Sequence, residues 1–477
     1  MKKTIIYLAL VLAVSACKKG SAFDNELPDT RISLESINLT GEDRLRSVVE
    51  LSWFGSDVDG YVTGFELSFD NTNWEFTERF DSTFNFSLPI GSDTSDIEFY
   101  VRSIDNDQGV DPSPAYLRIP IRNTAPMAIH DTVSVIKDTN YIVTTAFFDV
   151  EDLDGQDNLD SVYIKVNNGP WYDLPFDTRI VTLVPTDPTA NGNVDAQVLV
   201  GGAATPMTEN IQGLNLNGDN VMYLRARDIA GSDSEIDTSK TFFVANQTSD
   251  LLVVKAHASG GTVTPEDVLI PNIDAVYNGG FDFADLYTND GYNQPLLWNP
   301  TFALTLSFYD KVVWYSGAGE DEFGVLELAS APVQEFLNDG GKLMVTTGFP
   351  STFDNTSVVL EFTPVDSIST SPGQARLPTG NQVYPLPAFS NYDTLAASEF
   401  IAGSTPIYVK PTAESMFKGD IVITGSWVGP DDFGARSTNI NNQTNVVFFS
   451  IELHKLDGMA GGLQTLFDQV LNNEFNW

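Results

Sequence analysis

Six acids fall within one short stretch of this chain: Asp149, Glu151, Asp152, Asp154, Asp157 and Asp160, in "FFDVEDLDGQDNLD". Carboxylates at alternating positions followed by a glycine suit calcium, which takes roughly six to eight oxygens and tolerates irregular cages. The spacing is not that of an EF-hand loop, and aspartate also favours turns through bonds to its own backbone. Calcium is one reading of the stretch, and a plain acidic turn is the other. Asp57, Asp59, Asp105 and Asp107 offer a second, sparser set.

Nucleophilic chemistry has fewer candidates. Ser316 ends the apolar run "KVVWYSG", yet "WYSGA" is not the Gly-x-Ser-x-Gly of a nucleophile elbow, because Trp314 and Tyr315 are bulky where the turn needs room. It reads as a turn serine. His454 follows the run "VVFFSI" with no nucleophile that the sequence places beside it. A binding crevice is the other use of these residues. In open parallel sheets, ligands bind beyond the carboxyl ends of the strands. That edge would gather His257, Ser316, Glu320, Asp321, Trp427 and His454, which suit a hydroxyl-rich ligand such as a glycan. A polar edge without a ligand is the alternative.

These residues need elements to carry them. "VVELSWFG", "YVTGFELSFD", "TFNFSL", "IEFYVRSID" and "AYLRIPI" alternate apolar and polar residues between Asp/Asn/Gly/Pro turns, the pattern of an antiparallel sandwich. The pattern then repeats. Asp57-Val58-Asp59-Gly60 is echoed by Asp152-Leu153-Asp154-Gly155, and "FYVRSID" by "MYLRARD". Two units are predicted over 31–124 and 125–246, the second enlarged by an insertion around Thr178–Gly213. Both resemble the fibronectin type III and immunoglobulin-like modules of bacterial surface proteins, a resemblance that implies fold and is silent on function.

From Asp250 the texture changes. "LLVVKA", "KVVWYSG", "KLMVTTG", "DIVITG" and "NVVFFSI" are near-continuous apolar runs, as in strands buried on both faces. "VLELASAPVQEFLND" and "GLQTLFDQVLNNEF" have helical spacing. Strands alternating with helices predict a doubly wound, flavodoxin-like α/β domain with a parallel sheet over 250–477. "YDKVVWYSG", "FLNDGGKLMVTTG" and "VVFFSIELHKLDG" resemble the class I glutamine amidotransferase-like superfamily, including its ThuA-type branches. Active members carry Gly-x-Cys-x-Gly at the strand end. Aligned on Gly348, the resemblance puts Thr346 at the nucleophile position and Met344 where the first glycine belongs, which implies a degenerate site.

The N-terminus supplies the setting. Lys2 and Lys3 precede the apolar run Ile5 to Val14 and then Ser15-Ala16-Cys17, a secretory signal too short to span a bilayer. "AVSAC" resembles a bacterial lipobox, which implies removal of residues 1–16, a lipid on Cys17, the only cysteine of the chain, and a tether over 17–30. Several acyl chains would hold the protein firmly, because each buried CH₂ contributes about 0.8 kcal/mol. The charge is lopsided, with 25 Lys+Arg against 65 Asp+Glu and a net of −40, so a nucleic-acid partner is excluded.

The expectation is an envelope lipoprotein, membrane-anchored through its lipid at the outer membrane. It is expected to be non-catalytic and to bind a glycan or an envelope protein, with calcium as its one possible cofactor. A hydrolase using the strand-end crevice and a structural component of an envelope assembly are the alternatives.

Overall fold

The computed structural model describes residues 25–33, 45, 48–86, 88–89, 92–258, 263–287 and 293–476. Cys17, the signal segment and the tether up to residue 24 lie outside them. Chain contacts divide the molecule into two compact units. One holds Met1–Met127 with Glu151–Asp160 and Arg227–Ser234; the other holds Ala128–Val150, Ser161–Ala226 and Glu235–Trp477.

In the first unit, Asp29–Ile32, Val48–Ser56 and Asp81–Asn85 form an antiparallel sheet. A second sheet orders Glu75–Thr77, Val62–Ser68, Thr94–Asp105 and Ala115–Arg122. Alternation explains the sandwich: along Thr94–Asp105, Phe99, Val101, Ser103 and Asp105 point inward while their neighbours face out. Trp53 stands at the centre, its ring 5.7 Å from Phe99 and 6.4 Å from Phe65, and its indole N–H donates to the Arg79 carbonyl at 3.0 Å. Burying side chains of this size contributes about 1.5–3 kcal/mol each, so the interior holds the sheets together.

The second unit begins with three small antiparallel or mixed sheets. The segment around Thr178–Gly213 is itself sheet: Ile180–Pro185, Gly192–Val200 and Thr205–Leu216 pair antiparallel in succession. Beyond these lies a nine-stranded sheet, in the order Asp282–Asp285, Leu251–Ala256, Lys311–Ser316, Lys342–Thr346, Thr444–Phe449, Asp432–Thr438, Glu414–Gly419, Gln382–Pro385 and Leu395–Ala396. The first five strands are parallel. The remaining four add antiparallel.

This corrects the doubly wound, flavodoxin-like domain predicted from the apolar runs. Among the described residues strand accounts for 44% and helix for 15%, and the sheet is mixed rather than parallel. The reason lies between Thr346 and Thr444. There the chain returns by short strands and hairpins, where a doubly wound fold would use crossover helices. "DIVITG" is part of this return and not a central strand: Val422–Thr424 sits in a small three-stranded sheet with Val422 and Ile423 exposed. The helix predicted over 325–339 is two helices, Glu320–Leu328 and Ser330–Asn338. Pro332 lies in the first turn of the second, where a missing N–H costs no helical bond.

Both faces of the parallel strands are covered. Leu251, Val253, Val313, Met344 and Val447 pack with Leu269, Ile273, Leu463 and Phe467 of two helices. On the other face Leu252, Val254, Trp314 and Val345 pack with Phe323, Leu326 and Val333, joined by Ile142 and Val143. Tyr141 fixes that junction: its hydroxyl accepts from the Asp285 N–H at 2.7 Å and donates to the Asp285 carbonyl at 3.0 Å.

Candidate functional site

The parallel strands Leu251–Ala256, Lys311–Ser316, Lys342–Thr346 and Thr444–Phe449 end at one edge, and the residues that follow them converge there. His257 comes directly after the first. Its Nδ1 lies 2.6 Å from the Ala258 carbonyl, so that nitrogen carries the proton and Nε2 faces Glu452 Oε2 at 3.5 Å. The same oxygen lies 3.7 Å from His454 Nε2 and 2.8 Å from Lys455 Nζ. The two imidazoles stand edge to face with ring centres 5.6 Å apart. Glu322 approaches from the other side: its Oε1 is 3.5 Å from His257 Nδ1 and accepts the Ala258 N–H at 2.5 Å.

Burial and charge set the protonation states. Burial alone would raise Glu452, but its bond to His257 and the nearby Lys455 and His454 bring it down to about 2. Burial would lower His257, yet the Glu452 bond, the Ala258 carbonyl and the charges of Glu322 and Glu452 raise it above the ordinary histidine value. His454 has less support, and burial pushes it down to about 4. At neutral pH one imidazole is thus neutral beside a carboxylate that stays ionised. Next to them Lys255 lies 3.2 Å from Asp285 and 3.5 Å from Glu266, while Glu266 accepts the Tyr315 hydroxyl at 2.5 Å.

The Thr346 hydroxyl is engaged on both sides. Buried, it donates to the Ile451 carbonyl and accepts from the Leu453 N–H, both at 2.9 Å, and so clamps the backbone on either side of Glu452. Ser316 is buried too and donates to Thr347 Oγ1 at 2.7 Å. Among the described residues no serine or threonine hydroxyl is hydrogen-bonded to His454.

Of the predicted crevice residues, the structure brings His257 and His454 together. Glu320 and Asp321 are exposed in the first turn of their helix, and Glu320 accepts from Thr352 at 2.7 Å. Trp427 is buried in the loop after Val422–Thr424, against Gly429, and makes no ring contact with either histidine among the described residues. Sequence reasoning missed Glu322 and the central role of Glu452. A signal for Glu322 existed: three residues after Gly319, it caps the helix by accepting the Gly319 N–H at 3.2 Å.

His257, Glu452 and His454 each offer one donor atom, all within 4.8 Å of one another, so they could hold a metal ion. The six acids of 149–160 are divided. Asp149, Glu151, Asp157 and Asp160 face solvent, whereas Asp152 and Asp154 are buried.

No family model matches the chain, and no curated protein matches it. Among solved structures, the chain is similar to the CbhA fibronectin(III)-like modules of Clostridium thermocellum, with 11% identity over 20% of this chain and 97% of that one, TM-score 0.15. It is also similar to a two-domain fibronectin type III segment of chicken tenascin, with 9% identity over 45% and 98%, TM-score 0.20. The sandwich assignment rests on strand pairing and the buried interior rather than on these scores.

Proposed function

We propose that this chain is a lipid-anchored envelope protein that binds, without cleaving it, a hydroxyl-rich ligand such as a glycan at the strand-end crevice of its second unit. The observation that carries the reading is the convergence of His257, Glu322, Glu452 and His454, beside Lys255, Glu266 and Asp285, at the carboxyl ends of parallel strands. Such a set offers donors and acceptors in both senses, which is what neutral hydroxyl groups need. The hydroxyls of Thr346 and Ser316 are spent on internal bonds, which supports binding over acyl transfer.

The metal-holding geometry of His257, Glu452 and His454 favours a second reading, a metal-assisted hydrolase. The Lys455 ammonium, 2.8 Å from Glu452, already compensates that carboxylate and weighs towards the first. Incubation with soluble bacterial surface polysaccharide separates the two. Retention with recovery of intact polymer is expected, and cleavage that disappears in His454→Ala would establish the hydrolase.

The anchor has its own test. Cys17 lies outside the described residues, and among those residues no helix is long and apolar enough to cross a membrane. Mass analysis of membrane-extracted protein is expected to show an acylated N-terminal cysteine, and Cys17→Ser is expected to leave the membrane fraction. An unmodified thiol, or a variant that stays membrane-bound, contradicts the anchor.

A further inference from the structure

Asp152 and Asp154 sit in the loop after the strand Thr144–Glu151, and Asp228 ends the strand Met222–Asp228. They are 4%, 0% and 1% exposed. Backbone and amide groups satisfy part of the set. Asp152 Oδ1 accepts the Asp154 N–H at 2.8 Å, and Asp154 Oδ2 accepts the Thr124 N–H at 2.7 Å. Asp228 accepts the Ser232 N–H at 2.7 Å and the Asn123 amide at 2.5 Å. Two oxygens are left: Asp152 Oδ2 and Asp154 Oδ1 are buried with no hydrogen-bond partner. Among the described residues no lysine or arginine pairs with any of the three.

A buried carboxylate oxygen without donor or cation is costly, and neighbouring carboxylates repel each other besides. The first repeat carries a more open version of the arrangement, with Asp59 exposed and Asp57 half-buried. Asp57 and Asp59 correspond to Asp152 and Asp154, and Asp105 to Asp228. Asn25 donates to Asp105 at 2.7 Å as Asn123 does to Asp228, and the Glu26 N–H reaches Asp59 at 3.1 Å as that of Thr124 reaches Asp154. In that copy both Asp57 oxygens lack a partner. What recurs is a set of acceptors around a place where a donor is missing.

We propose that Asp152, Asp154 and Asp228 bind a calcium ion, the two unpartnered oxygens being ligands. A proton would satisfy one oxygen and leave the others facing it, whereas calcium accepts several carboxylates in an irregular shell. Bound there, the ion ties the segment Asn123–Thr124 to the loops 151–160 and 227–234, all within the first unit. The ligand set keeps two of the six acids of the sequence motif, Asp152 and Asp154, and adds Asp228 from another strand.

The test is calcium chloride titration of the full mature chain after chelator treatment, by calorimetry and thermal melting, beside Asp152→Asn and Asp154→Asn. The wild type is expected to take up calcium and to melt at a temperature that rises with calcium, because a ligand bound by the folded state stabilises it. Each variant is expected to melt no lower than wild type in chelator, since an unpaired charge has gone, and to bind one calcium fewer. Should Asp154→Asn fail to fold, Asp152→Asn and the wild-type titration decide. No uptake by the wild type at millimolar calcium overturns the proposal, as does full wild-type stoichiometry in the folded variants.

Discussion

Glu452→Gln is expected to weaken the second unit and to abolish ligand binding together. Its carboxylate is the shared partner of His257, His454 and Lys455, with one oxygen facing all three at 3.5, 3.7 and 2.8 Å. Glutamine keeps the shape and removes the charge, so the Lys455 ammonium and a His257 imidazolium lose their anion in a site with little solvent. Breaking a buried pair from one side costs about 3–5 kcal/mol, and the partial exposure of Lys455 places this case near about 3 kcal/mol. His257 then keeps only the Ala258 carbonyl and Glu322 against the opposing effect of burial, so its pKa should fall from its raised value. Chemical denaturation of wild type and variant measures the first effect, and an imidazole titration the second. Unchanged stability with unchanged His257 titration would show that the carboxylate does not organise the site.

The second large effect is on acid stability. His454 is held near 4 by burial, against an ordinary value of 6.5, so between these pH values the unfolded chain binds a proton that the folded one refuses. Stability contributed by the neutral ring is present above 6.5 and lost as pH falls towards 4. At about 1.4 kcal/mol per unit, the loss is on the order of 3 kcal/mol. His257 acts in another window. Its raised pKa gives stability that is complete below 6.5 and lost as pH climbs through the folded value. Glu452 acts below 4.5, losing its contribution as pH falls towards 2. Asp152, raised to about 6 by burial, opposes His454 between 3.8 and 6. Comparing wild type with His454→Gln cancels that opposing term. The variant is expected to keep more of its neutral-pH stability at pH 4.5, and parallel pH profiles would show that His454 does not resist protonation.

Period and apolar run length made much of this molecule legible. Alternation in "IEFYVRSID" marked a sandwich strand because one face is buried and the other wet. The runs "LLVVKA", "KVVWYSG" and "KLMVTTG" marked strands covered on both sides. The antiparallel half of the large sheet was less visible: Asp432–Thr438 reads "DFGARST" and Leu395–Ala396 is two residues long, too polar or too short for a period. "DIVITG" misled because run length alone cannot distinguish a buried strand from an exposed apolar edge. At the crevice, residue type pointed to His257 and His454, which the fold brings together from positions far apart in sequence. It chose Glu320 and Asp321 over Glu322 because a helix turn decides which of three consecutive acids faces inward. Among the six acids of 149–160, only the fold could separate two buried carboxylates from four solvated ones.

The chain has three histidines, so imidazole NMR gives a direct reading of the crevice. His130 is bonded to Asp237 at 2.7 Å and serves as an internal control, while His257 and His454 line the proposed site. With histidine-labelled protein titrated with soluble surface polysaccharide, the signals of His257 and His454 are expected to move together, His130 to stay, and the polymer to be recovered intact. Saturable binding that leaves His257 and His454 unmoved would contradict the crevice as the recognition site.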